Sequence, residues 1–437
     1  VGFWLSNHAD YIYALSGNQA YPESPSIPDN RTYRYTISMN SWERLADLPF
    51  GVGHYVGCRL GYADGHIYAW QGAPSTWTGG GDDLVRYRLA WIVDDDQPAD
   101  FHTIQEAINN AKGGDTVFVK AGKYNENVII QKTVSVIGQD KSTTIIDGGD
   151  KGAVFYVSAT DDVEIRGFRI QNGDYGVNVD HSLSDKIGGN VITNNRLYGV
   201  VLNNSNATAI DGNIICNNGL YGIFLLDSTN IVLRNNKLAN NFYNFGVDSG
   251  TLSLYHFIHD ADESNTINGK PMIYWVNQQN KQVPSNAGFV AAINSTNIAA
   301  KNINLTMNDY GVLLVHSTNS TIEENTISDN VCGVYLLDSD FNSVKDNLVT
   351  NNSVGINNWI GSGSNSIVKN TLTNNGYGIL FHGPGDDSNN VTENAIENNW
   401  TGIHFGGGSH RNRVRRNAIR NNEIGIFMDF STYNSFS

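Results

Sequence analysis

Positive charge, sulfur and long apolar runs are all scarce in this 437-residue chain. Lys and Arg together number 28 against 43 Asp plus Glu, a formal charge of −15. Proteins that bind nucleic acid carry basic patches, so nucleic acid is excluded as a partner. The one basic cluster, Arg411, Arg413, Arg415, Arg416 and Arg420, lies late in the chain, and alternation puts Arg411, Arg413 and Arg415 on one solvated face. No stretch approaches the roughly 18 apolar residues of a membrane span. Three cysteines, Cys58, Cys216 and Cys332, make no disulfide framework. Helical periodicity is missing almost throughout, which excludes helical and leucine-rich solenoids.

What the chain has instead is a glycine that returns about every 23 residues, each time followed by a β-branched residue. The pairs are Gly176-Val177, Gly199-Val200, Gly222-Ile223 and Gly246-Val247, then, after a gap, Gly311-Val312, Gly333-Val334, Gly355-Ile356, Gly378-Ile379, Gly402-Ile403 and Gly425-Ile426. One asparagine column runs in phase through Asn190, Asn213, Asn236, Asn325, Asn347, Asn370, Asn394 and Asn417. A second runs through Asn297, Asn319, Asn342, Asn365, Asn389 and Asn412, with Asn434 next in step. Aliphatic residues such as Ile192, Ile215, Leu238, Ile327, Val349 and Leu372 recur two positions after the first column. Short alternating strands punctuated by Asn and Gly at this period predict a parallel β-helix, each repeat one coil. Glycine is expected to supply positive φ at the corners, and stacked asparagines to bond amide to amide between coils. Cys216 and Cys332, five repeats apart, then stand about 24 Å from each other, too far to bridge.

Thr103-Ile104-Gln105-Glu106 reads as a capping box, and Ile104, Ala107, Ile108 and Ala111 follow at helical spacing before Gly113-Gly114. A helix over 103–112 is therefore expected to plug the first open end of the bore. The chain stops at Ser437, three residues past Asn434, in mid-coil, so a further segment or a neighbouring molecule is expected to cover that end. Between Gly246 and Gly311 lie 65 residues, close to three periods, and 250–285 is expected to form wider coils or an excursion on one flank.

Residues 1–91 differ, being rich in Tyr and Trp without the asparagine columns. Tyr11-Ile12-Tyr13-Ala14-Leu15-Ser16-Gly17 is echoed by His66-Ile67-Tyr68-Ala69-Trp70-Gln71-Gly72, and Arg34-Tyr35 by Arg86-Tyr87. This resembles the kelch repeat, one propeller blade of about 50 residues. Fewer than two units are present, which suggests a propeller continuing upstream of Val1 or a small antiparallel module before the β-helix at 92–437. The acidic run Asp94-Asp95-Asp96 is read as a solvated hinge rather than a metal site.

The entry Thr103-Ile104-Gln105-Glu106-Ala107-Ile108 … Gly114-Asp115-Thr116-Val117 … Gly122-Lys123-Tyr124-Asn125-Glu126 resembles that of the pectin-lyase-like superfamily. With the later Asn-rich Gly-Ile repeats, and Asp262 through Pro271 followed by Tyr274, it is similar to the NosD-like copper-binding and CASH-type carbohydrate-binding β-helices. In particular it resembles the repeats of large archaeal surface proteins in which kelch blades and such β-helices share one chain. The resemblance implies a right-handed parallel β-helix outside the cytoplasm.

Three functions follow from these readings. The first is structural: a subunit of a surface layer, sheath, filament or adhesin, self-assembling as a homo-oligomer, filament or lattice and contacting cell-surface glycans through Trp275, Trp359 or Trp400. The second is a polysaccharide lyase, hydrolase or epimerase, which needs acids clustered on adjacent coils and a base. Asp180 and His181 are its weak candidates. Asp227 and Asp338 share a coil position but stand five repeats apart. The Asp-Pro-His motif of mannuronan epimerases and the Gly-His-Gly of polygalacturonases are absent. The third is copper binding, for which four Met, three Cys and scattered His offer little. Its weak candidates are His256, His259, Asp260 and Asp262. The structural reading is preferred. It calls for no cofactor, with Ca²⁺ the one ion an enzymatic reading would admit. Sequons at Asn30, Asn203, Asn206, Asn294, Asn304, Asn319, Asn351, Asn390 and Asn399 permit glycosylation without predicting it.

Overall fold

The computed structural model describes residues 90–437 in full and, before them, only the backbone of strands between Gly2 and Arg88. Among those early strands, Gly2–Leu5, Tyr11–Leu15, Thr32–Thr36 and Ser41–Arg44 form an antiparallel meander in chain order. Arg59–Ala63, His66–Trp70 and Leu84–Arg88 form a second antiparallel sheet. The blade count on which the kelch reading depends, together with Asn30 and Cys58, lies outside the described residues.

From Trp91 onward the chain is an all-β, right-handed parallel β-helix. A typical coil has three strands, such as Lys186–Gly188, Val191–Thr193 and Tyr198–Asn203. The next coil stacks on it in register, Ile187 on Ile210, Ile192 on Ile215 and Val200 on Ile223. The aliphatic columns fill the bore, with Ile192, Ile215, Ile327, Val349 and Leu372 completely buried. The first end is closed by a helix at Ile104–Asn110 that buries Ile104, Ala107 and Ile108. Only half of the expected capping box forms. Thr103 Oγ1 accepts from the Glu106 N–H, but the free N–H groups of Ile104 and Gln105 go to the carboxylate of Glu126, one coil on.

The repeat glycines are not corner residues. They lie within strands, and a Cβ at Gly199, Gly333 or Gly378 would stand 2.6, 2.5 or 2.5 Å from the carbonyl oxygen of the glycine one coil further. Close approach of stacked backbones demands them. Positive φ falls instead on polar residues such as Asn194, Asn217, Asn240 and Asn374.

The asparagine columns bond as expected and also serve the backbone. Asn347 Oδ1 accepts from both N and Nδ2 of Asn325, while its own Nδ2 donates to the carbonyls of Ile322 and Lys345. A third column, Asn308, Asn330, Asn352, Asn375, Asn399 and Asn422, does the same. The second column needs a correction. Asn342 continues downward to Ser320, whose Oγ takes the Ile298 N–H, so Asn297 and Asn319 sit one residue before the column with positive φ. Coil lengths of 22 to 24 residues conceal such a slip.

The stretch 250–285 is an elbow between two stacks. The first stack's broad strands end with Tyr243–Asp248. The chain passes through a 3₁₀ turn at Leu254–Phe257, reverses at Asn268-Gly269, both at positive φ, and runs as Lys270–Val276 antiparallel to Thr266–Ile267. Lys270–Val276 then founds the second stack's broad sheet. One 15-stranded sheet thus joins the middle strands of the first stack to the broad strands of the second. Strands Tyr310–Val315 and Cys332–Leu337 are buried on both faces. Their Val312, Leu314, Val334 and Leu336 fill the second core, while Leu313, Val315, Tyr335 and Leu337 pack into the first. Gly246 belongs to this elbow and not to the glycine column, since it registers with Phe224 two residues past Gly222.

Candidate functional site

The elbow collects the most perturbed polar groups that bridge the two stacks. Along the first stack's broad face runs a tyrosine ladder, Tyr175 on Tyr198 with ring centroids 5.3 Å apart and Tyr198 on Tyr221 at 5.7 Å, both nearly parallel. In-register stacking of one residue type builds such a ladder without further constraint. At its end the Tyr221 hydroxyl donates to Asp309 Oδ1 at 2.9 Å, across the elbow. The backbone bonds Asn244 N to Met307 O (2.7 Å) and Asp309 N to Phe245 O (3.0 Å) fix the two stacks beside it. Gly246 makes room, since a Cβ there would lie 3.1 Å from Asp309 Oδ2 and 2.7 Å from the Phe224 ring.

Burial pushes the Asp309 carboxyl up to about 7; the Tyr221 bond opposes the shift and Asp248 adds to it. Asp248 is itself raised, by burial and by Asp227. Burial and Asp309 lift Tyr310 and Cys332 far above their ordinary range. This cluster excludes charge. It offers no nucleophile, because Cys332 is held as a neutral thiol.

The other raised carboxyls serve the fold. Asp185, at about 6, accepts from the Val163 N–H and the Ser182 hydroxyl. Asp386, at about 8, replaces a ladder serine and accepts from the Ser362 and His382 N–H groups. Desolvation is the leading cause in each case.

The residues singled out as metal candidates do not converge. His259 is buried and neutral, its pKa driven down to about 3 by desolvation, and its Nδ1 accepts from the Ile231 N–H at 3.3 Å. His256 bonds Ser249 at 2.7 Å and Asp227 at 3.2 Å. Asp260 and Asp262 are both taken by Arg234, at 2.6 and 3.2 Å. Among the described residues, three potential ligands gather only at Asp94, Asp95 and Asp96. There Asp95 accepts from the Lys123 N–H at 3.1 Å.

Asp180 and His181 do touch, Oδ1 to Nδ1 at 2.8 Å, and Asn203 Nδ2 also donates to Asp180 at 2.8 Å. The pair sits at a corner, His181 exposed and at positive φ and Asp180 half-buried. Asp227 and Asp338 occupy equivalent positive-φ corners, each beside a histidine, His256 and His316. Of the three tryptophans, Trp400 is 52% exposed, Trp359 is packed against the elbow, and Trp275 lies under Lys281 Nζ at 5.2 Å from the ring. A notch of about 380 Å³ opens between Asp262–Ser264 and the Tyr274-Trp275 wall. Among the sequons, Asn294, Asn304, Asn319 and Asn351 are exposed and Asn203, Asn206 and Asn390 half-buried. Asn399 is buried and its amide is consumed by the third column, which leaves it closed to a glycan.

The family model described as periplasmic copper-binding protein (NosD) matches residues 108–253 and 257–437. No curated protein matches the chain in sequence. Among solved structures, the A-module of the Azotobacter vinelandii mannuronan C-5 epimerase AlgE6 is 17% identical, over 76% of this chain and 94% of its own, with a TM-score of 0.31. An alginate lyase from a Paenibacillus species is 12% identical over 75% and 96%, at 0.29. The catalytic domain of a GH87 α-1,3-glucanase is 13% identical over 81% and 71%, at 0.35. Such distant likenesses say nothing of activity or substrate.

Proposed function

The chain belongs to the NosD family, and on that premise we propose that it is a rigid scaffold outside the cytoplasm, a structural part of a surface layer, sheath, filament or adhesin. The observation that carries this reading is where the repeated polar side chains go. A β-helix enzyme lines up acids and bases outward on neighbouring coils. Here the polar columns that recur coil after coil point inward, and their bonds are spent on one another and on the backbone. The four carboxyls lifted by burial are likewise bonded to N–H groups or hydroxyls, which supports a fold-keeping role. The described residues include no helix long and apolar enough to cross a membrane, which fits a part held outside by its partners.

Self-association and contact with glycans complete the proposal. Exposed Trp400, at the edge of the broad face beside Tyr377, suits a sugar ring. The test is a panel of uronate and neutral polysaccharides incubated with the full chain. Binding without new reducing ends or unsaturated products is the expected result. A defined product from any of them, lost on replacing Asp180 and His181, would overturn the scaffold reading in favour of an enzyme.

A further inference from the structure

The basic cluster of the sequence lands on the outward side of a late coil in the second stack. Between Asn398 and Asn422 the chain has five arginines and no Asp or Glu, in a molecule of net charge −15. The strand Arg413–Arg415 buries Val414 in the core and leaves Arg413 and Arg415 exposed on one face, about 6.6 Å apart. Arg411 stands exposed at the corner before it, at positive φ. A further coil stacks beneath them, Asn434 under Asn412 and Ser435 under Arg413, so their exposure belongs to the outward face. Tyr433 follows Arg411 in the corner column, where even Phe341, in mid-stack, is 62% exposed.

The fold does not need these arginines. The coil before carries Ser388, Asn390 and Thr392 at the same positions and stacks equally well. One coil earlier the strand positions hold Ser366 and Val368. Nor are the charges all spent within the molecule. Arg416 and Arg420 are taken by Glu393 at 3.5 Å and Glu397 at 2.7 Å, whereas Arg411, Arg413 and Arg415 have no carboxylate partner among the described residues. Like charges at this spacing repel, so the row costs stability until an anion meets it.

A guanidinium presents a planar fork of donors that pairs two-pronged with a carboxylate or sulfate. Three such forks along a rigid strand and its corner match a ligand that carries acidic groups at intervals on an extended chain. The Tyr433 ring beside them suits a sugar, whose face stacks on an aromatic while its acid meets the arginines. A second copy fits less well, because it brings its own charge of −15 against the rest of the surface. A thin glycan chain touches the strip alone. We propose that Arg411, Arg413 and Arg415, with the Tyr433 ring, form a docking strip for an acidic polysaccharide. The inference rests on the scaffold reading's contact with glycans and names the class of glycan and the place where it binds.

The test titrates the full chain with alginate, dextran sulfate and neutral dextran, by calorimetry at about 0.05 M and about 0.5 M NaCl. Both acidic polymers should bind at low salt, dextran at least about 10-fold more weakly, and high salt should remove most of the difference. The variant Arg411→Ser/Arg413→Asn/Arg415→Thr installs the residues of the coil before. It should lose about 10-fold in affinity for the acidic polymers with an unchanged circular dichroism spectrum. Tyr433→Ser should lose about 3-fold. Lys186→Ala/Arg196→Ala, which removes two charges elsewhere, should bind as the parent does. In the unaltered chain, bound alginate should protect Arg411, Arg413 and Arg415 from phenylglyoxal, read by peptide mass. Undiminished binding by the arginine variant, no protection, or dextran bound as tightly as alginate would overturn the strip. Tighter binding to phosphatidylglycerol vesicles or duplex DNA than to either acidic polymer would do so too. New reducing ends or unsaturated products would sink the scaffold reading alone, and loss of binding in the arginine variant would still uphold the strip.

Discussion

Asp309 shows at the scale of one residue how the elbow is balanced. Its carboxyl is buried between the stacks and titrates near 7 rather than in the ordinary carboxylate range. The folded chain therefore holds this proton between about pH 4 and pH 7, where the unfolded chain has lost it. Stability is fullest at acid pH and falls as the pH rises through 7, by an amount on the order of a few kcal/mol. Asp386, near 8, and Asp185, near 6, act in the same direction. Asp309→Asn should raise the melting temperature at pH 8 and flatten its pH dependence between 5 and 8, as scanning calorimetry would show. An unchanged profile would mean that Asp309 is solvated and ordinary.

The ladder gives a second prediction at this scale. Asn347→Ala removes the acceptor of the Asn325 N–H and leaves the Ile322 and Lys345 carbonyls without their donor. Each unsatisfied buried group costs about 1–3 kcal/mol, so amide exchange in the coils on either side should speed markedly. A surface change such as Thr371→Ala, within a strand and at ordinary φ, should leave it alone.

Residue roles were only partly legible in the sequence. The columns Ile192, Ile215 and Leu238 and the asparagine period could be read directly, because stacking in register repeats the same demand in every coil. The reason for the glycines could not. A positive φ and a carbonyl 2.5 Å from a would-be Cβ leave the same letter, and only the register of the next coil tells them apart.

Among elements, the decisive one is Lys270–Val276. It is the antiparallel partner of Thr266–Ile267 and the parallel partner of Phe289–Ile293, so it changes which sheet the broad strands continue. Period counting across 246–311 gives the right number of coils but cannot reveal that the faces have changed places. The switch buries the outward sides of Tyr310–Val315 and Cys332–Leu337 and brings Tyr221 to Asp309. Tyr221→Phe deletes that bridge while preserving the ring stack. Hydrogen exchange should then quicken at 243–248 and 307–315 and stay unchanged in the coils around Asn370. Uniform protection across all of them would show that the elbow rests on apolar packing alone.

At the scale of the whole molecule, each coil touches chiefly its two neighbours, so stability is a sum of coil and interface terms. The net charge of −15 sets the conditions for association. Copies repel one another at low salt, and screening shortens that repulsion from about 30 Å at 0.01 M to about 8 Å at 0.15 M. Self-association should therefore increase with ionic strength, which light scattering would follow, and association that weakens as salt is added would point to salt-bridged contacts instead.

The scaffold reading is tested most directly by electron microscopy of the native envelope material that contains the full-length protein, with the chain located by antibody labelling. Ordered filaments, sheaths or lattices decorated at a regular repeat are the predicted result. Label confined to dispersed single particles, with no periodic array under any salt condition, would contradict it.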